Sequence, residues 1–176
     1  MKKKVMALAL GCVQLFPVLV FAAERIEHES HVHGLVDMTV VIDQDKVNIS
    51  LDSPAMNMVG FEHKAESESD INKVHEVEAI LKATSKLFAI RGADCEGEAV
   101  VVDISGLIGS DDHEHHHADL EAQYQFSCDN TDNLTGIDVL LLKEFPAIER
   151  INVEWISNDK AGAAQLTQDN SFIPLD

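Results

Sequence analysis

The stretch from Val36 to Asp52 leaves little choice of local structure. Val36, Met38, Val40 and Ile42 alternate with Asp37 and Thr39, and after "DQDK" Val47, Ile49 and Leu51 alternate with Asn48, Ser50 and Asp52. A period of two is the mark of a strand with one buried and one wet face. The short polar break makes the two runs a hairpin. Such a hairpin needs something apolar to cover it. The period changes between about Ser69 and Phe88, where Ile71, Val74, Val77, Leu81 and Phe88 fall on one side of a helix and Ile80 and Leu87 widen the stripe. Ser69 is read as the N-cap, Thr84-Ser85 as a break and Gly92 as the stop.

Further strands are expected at Val100–Ile104, at Leu120–Cys128, along the apolar run Ile137–Leu142, at Ile151–Trp155 and at Ala164–Leu166. That makes about seven strands and one main helix. Hairpin-like spacing predicts an α+β fold built on a largely antiparallel sheet. "SPAMNMVGFEH", with Pro54 and Gly60, reads as an ordered loop. Residues from about 105 to 117 read as a flexible, His-rich hairpin tip. Trp155 and Tyr124 read as core aromatics, and Met56 and Met58 as loop packing.

The chain opens with Lys2, Lys3 and Lys4, an apolar run from Val5 to Phe21, and small residues at Ala22 and Ala23. This is the pattern of a secretory signal cut after residue 22. A lipoprotein reading at Cys12 fits poorly, because the apolar run continues past it. No later stretch is apolar enough to cross a bilayer. Of 176 residues with a net charge of −18, the signal removes 22 that carry three lysines, leaving one domain of 154 residues at −21. Such a charge repels phosphates, which argues against nucleic acid and against anionic membrane surfaces. It also concentrates cations near the surface, although many exported proteins are acidic and merely soluble.

Export places the two remaining cysteines, Cys95 and Cys128, in an oxidising compartment, where an isolated pair usually bridges. A symmetric turn centred between Asp111 and Asp112 sets residue 95 opposite residue 128. The bridge would close the base of the hairpin whose tip is His-rich. Two buried free thiols are the alternative.

Nine histidines are present, and most are clustered. In "HVHG", His31 and His33 lie two apart, so a strand would point both to one side, away from the core-facing Val36 and Met38. Two imidazoles held so can share a zinc ion, and Glu62 and His63, at the end of the ordered loop, are the best candidates to complete the site. The alternative is a pair of solvated histidines at a frayed end. The second cluster, "DDHEHHHAD", packs four imidazoles and four carboxylates into nine residues. His113, His115, His116 and His117 offer ligands at high local density, but a flexible segment loses chain entropy on binding, so weaker, faster exchange is expected there. His117, Asp119 and Glu121 would share a face where the next strand starts. The alternative is a merely soluble tip. His75 reads as a solvated or hydrogen-bonded histidine.

Taken together, "HVHG", "SPAMNMVGFEH", "HADLEAQYQFSC" and "LTQDNSFIPL" resemble the ZrgA-like family of exported, zinc-regulated, His-rich bacterial proteins, over nearly all of the chain after the signal. The resemblance implies a periplasmic zinc-binding protein that works alongside high-affinity zinc import, with a component of a zinc ABC importer as its partner. It implies metal-ligand roles for His31, His33, Glu62 and His63, places the tip histidines in the family's variable insertion, and names no enzymatic activity. A zinc hydrolase is the first rival. Glu62 beside His63 could act as its base, but no H-E-x-x-H or comparable signature occurs. A metal-responsive interaction module is the second. Spacing alone does not separate zinc from copper or nickel.

Overall fold

The alternating stretch forms strands β1 (Leu35–Asp43) and β2 (Lys46–Pro54), paired antiparallel with Met38 opposite Leu51 and Val40 opposite Ile49. A computed structural model describes residues 32–108, 118–157 and 160–175. The segment expected to be a signal, 1–22, falls outside them. Further strands are β3 (Phe88–Arg91), β4 (Cys95–Asp103), β5 (Asp119–Cys128), β6 (Gly136–Val139), β7 (Arg150–Ser157), β8 (Lys160–Leu166) and β9 (Phe172–Pro174). Helices are α1 (Glu68–Leu81), α2 (Thr84–Leu87) and α3 (Leu141–Glu144). The larger sheet has the order β4-β5-β2-β1-β7-β8, and the smaller has β3-β6-β9.

The α+β class stands, with nine strands among the described residues where about seven were expected. The pairing is antiparallel except at the centre, where β1 runs parallel to β7, with Val36 beside Ile151 and Val40 beside Trp155. Local alternation says which residues face the core but not which distant strand lies alongside, so this mixed pairing was not foreseen. The run Ile137–Leu142 is buried as expected but is not one strand. It divides between β6 and α3, since a short apolar run reads alike in either conformation. β8 is longer than expected because its "KAGAA" start has little strand propensity. Its small residues fit the neighbouring ring: a Cβ on Gly162 would lie 2.6 Å from the Trp155 indole.

Helix α1 is capped by Ser67, whose hydroxyl accepts the Asp70 N–H at 3.1 Å, two residues before the expected cap. Val74, Val77 and Leu81 form its buried face. The helix stops there, and Phe88 opens β3 instead of ending the helix. Phe88 meets Tyr124 edge-on at 4.9 Å, tying the small sheet to the large one. One hydrophobic cluster takes in α1 and both sheets.

The β4–β5 hairpin keeps the expected register at its base. Cys95 lies opposite Cys128, and the two are joined by a disulfide. Beyond Gly97 the register slips by one, so that Asp103 faces Glu121. The slip places Val100 and Val102 opposite the buried Tyr124 and Ala122, and the extra residue, Glu98, extends its carboxylate to Lys46 Nζ at 2.9 Å. The tip begins later than expected. Leu107 is fully buried, and its carbonyl accepts the Ala65 N–H at 2.9 Å. No helix among the described residues is long and apolar enough to cross a membrane.

Candidate metal centre

His33 stands on a turn, not on a strand. The Leu35 N–H closes that turn on the Val32 carbonyl at 3.0 Å, and Gly34 takes a φ of 83°. Few residues other than glycine adopt that backbone region readily. The pleat begins only at Leu35. Of the pair His31 and His33, expected on a strand, His33 is thus not carried by one: the reversal at Gly34 separates it from the pleat. His31 lies outside the described residues.

Two contacts fix this turn to the body of the protein. The Gly34 carbonyl accepts the N–H groups of Glu149 and Arg150, at 2.8 and 3.0 Å. On the other side stands Asn57, from the 3-10 turn Ala55–Asn57 that follows β2. Its Oδ1 accepts the Gly34 N–H at 2.6 Å, while its Nδ2 donates to the Leu35 carbonyl at 2.8 Å and to Ser53 Oγ at 3.2 Å. Asn57 and Ser53 are the two buried polar side chains among the described residues. Buried polar groups persist where they are hydrogen-bonded.

The loop then continues through Met58 and Val59, both buried, to Phe61, Glu62 and His63. His33 Nε2 meets Glu62 Oε1 at 2.8 Å. His63 Nε2 lies 3.7 Å from Asp70 Oδ2, on the first turn of α1, and its ring sits 4.7 Å from that of Phe61, tilted by 34°. The His33 ring is 57% exposed, so an ion can reach it from solvent. A carboxylate on one imidazole nitrogen orients the ring and leaves the other nitrogen for a metal. The same pair can also open to take an ion between nitrogen and oxygen. Either arrangement suits a borderline divalent cation such as zinc.

Among the described residues, no three His, Cys, Asp or Glu side chains converge as a metal cage. What is assembled is two pairs, His33–Glu62 and His63–Asp70. His113, His115, His116 and His117 lie outside the described residues, but both stems of their segment are placed. Leu107 binds Ala65, and the Ala118 carbonyl accepts the Ala55 N–H at 2.9 Å. The loop that carries Glu62 and His63 is thus hydrogen-bonded to both stems. Asp119, half-buried, pairs in register with Pro54 at the start of the same loop and shares a strand face with Glu121. His75 lies apart on α1, with Nδ1 3.3 Å from Glu78 Oε2, as expected of a hydrogen-bonded surface histidine.

The same end of the large sheet carries a row of acids. Asp37 faces Asp52, Asp52 faces Glu121, and Glu121 faces Asp103, on four adjacent strands. Asn152 donates to Asp37 Oδ1 at 3.1 Å, extending the polar row. The Ser105 N–H, and secondarily its hydroxyl, hold the Asp103 carboxyl below its usual range. Sequence reading missed this row, Asn57, Ser53 and Asp70. The row appears only once the registers are known. Asn57 did leave a trace, as an amide between two methionines in an otherwise apolar loop.

The class is thus a β-rich α+β domain that presents histidines and carboxylates together at one end of its main sheet. Residues 30–175 match the description "ZrgA family zinc uptake protein", and the chain belongs to that family. A search of curated proteins finds no match.

Proposed function

We propose that this is a periplasmic zinc-binding protein, which captures or buffers Zn²⁺ and hands it on in support of high-affinity uptake. Membership of a zinc uptake family supports the metal and the pathway. The carrying observation is the His33–Glu62 contact, made by residues 29 apart in sequence and held by a buried amide. In this reading His31, His33, Glu62 and His63 contribute to the tighter site. The tip histidines and Asp119 collect ions and exchange them. The leader supports export, and the disulfide is compatible with an oxidising compartment. A periplasmic component of a zinc ABC importer is the proposed recipient, and no catalytic step is assigned.

The test is calorimetric zinc titration of the wild type, of the double variant His31→Ala with His33→Ala, and of a deletion of residues 111–117. The double substitution is expected to remove the tightest binding event. The deletion is expected to lower stoichiometry and spare that event. Imidazole must be deprotonated to bind and titrates near pH 6.5 when unperturbed, so affinity falls as pH drops through that range. A protein that stays metal-free in micromolar zinc, or binds equally at pH 5 and pH 8, overturns the reading.

A further inference from the structure

We infer that Asn57 is a positioning residue for zinc capture, setting the turn that brings His33 to Glu62. The inference rests on the zinc-binding reading above and adds to it a residue that does not touch the ion.

One loop acts on one turn at two levels. Asn57 holds the backbone of the turn at Gly34 and Leu35, and five residues later Glu62 meets the His33 side chain. The amide is the group this position requires. The Leu35 carbonyl can only accept and the Gly34 N–H can only donate, so the side chain between them must offer one acceptor and one donor in fixed order. Asparagine does this. Aspartate would set a second oxygen against the Leu35 carbonyl, and alanine would leave both backbone groups without their partner in a buried setting. Ser53 Oγ takes the remaining amide hydrogen and donates to the Pro54 carbonyl at 3.1 Å, which ties the clamp to the end of β2.

Among the described residues His33 has little else to hold it. Its side chain is more than half exposed, and its ring nitrogen meets Glu62. Its approach direction is therefore inherited from the backbone of the turn. If the turn relaxes, His33 and Glu62 must be brought together at the moment of binding, and affinity falls by the cost of that ordering.

The experiment measures zinc affinity by chelator competition at 25 °C, and melting temperature, for Asn57→Ala, Asn57→Asp and Ser53→Ala. Each is made alone and with His33→Ala. Losses from residues that orient metal ligands run to about 10–100-fold, and Asn57→Ala and Asn57→Asp are expected to weaken the tightest event within that range. Ser53→Ala removes one of the three bonds and should weaken it only a few-fold. In the His33→Ala background the same changes should lower the melting temperature as before and leave zinc affinity unaltered. In the protein that retains His33, a lower melting temperature with unchanged zinc affinity overturns the inference, as do equal affinity losses with and without His33. Should Asn57→Ala fail to fold, Ser53→Ala decides alone by the same criteria. If His33→Ala itself leaves zinc binding intact, the zinc-site reading falls, and the inference with it.

Discussion

Asp37 and Asp52 face each other across the β1–β2 pair on the solvent side of the sheet, and the row continues through Glu121 to Asp103. Like charges directly opposite on neighbouring strands destabilise a sheet. The protein retains four in line at the end where His33 and the His-rich segment emerge, on a chain whose net charge is −18. A concentrated negative field raises the local concentration of cations and their rate of arrival.

Asp52→Asn separates these two effects. Removing a central member of the row should stabilise the fold by about 0.5 kcal/mol, a rise in Tm of roughly 1–2 °C. The same change should slow zinc association at low salt, with the difference fading as ionic strength rises. Thermal melts and stopped-flow mixing across salt concentrations check both parts. A drop in Tm would mean that the row is held by favourable contacts.

Glu78 gives a pH signature on α1. Its carboxyl is held below the ordinary 4.5, first by the hydrogen bond from Lys82 and then by that from His75. A carboxylate whose folded pKa is depressed contributes stability that is present above the unfolded value and lost as pH falls through the folded one. Glu78→Gln should therefore cost about 0.5 kcal/mol at pH 7. The wild-type and variant melting curves should draw together as pH falls from above 4.5 through the depressed folded value. A gap that persists at low pH would point to packing instead.

The Cys95–Cys128 bridge spans 33 residues of chain. Constraint of the unfolded state by a loop of that length is worth about 3–4 kcal/mol. Cys95→Ala with Cys128→Ala should lose that much in urea denaturation, while zinc affinity of the folded variant stays within about two-fold of wild type. A large loss of affinity would show that the hairpin base and the metal end are coupled.

Tyr124 carries a hydroxyl that is buried with no hydrogen-bond partner among the described residues, and burial pushes its phenol well above the usual range. Removing an unsatisfied buried hydroxyl while keeping the ring is neutral or favourable. Tyr124→Phe should leave stability unchanged or raise it by about 1 kcal/mol, as measured by chemical denaturation. A loss of more than that would reveal a partner such as an enclosed water.

The sequence was most legible where physics is local. Val36 to Leu51 announced a hairpin because alternation and a polar break are properties of neighbouring residues. The cysteine register was readable because a hairpin is symmetric about its turn, although the bulge at Glu98 was not. The cap of α1 was misplaced by two because Ser67 and Ser69 are equally suited to that position. The parallel pairing of β1 with β7 and the short strands β3 and β9 depend on distant segments and left no local mark. At the metal end, His33, Glu62 and His63 were chosen for their chemistry, and the first two do meet. Gly34, which takes His33 off the strand, is in plain sight, but the two-residue spacing of His31 and His33 carries no sign of its positive φ.

The seam between β1 and β7 joins residues 115 apart, as Asp37 and Asn152 show. The same seam supplies the Glu149 and Arg150 amides that hold Gly34. The turn bearing His33 thus cannot be completed until a segment 115 residues further along the polypeptide has found its place. Contacts so remote in sequence form slowly and late. Appearance of the tightest zinc site during refolding would then time the closing of the fold, and C-terminal truncations that remove β7 would lack it.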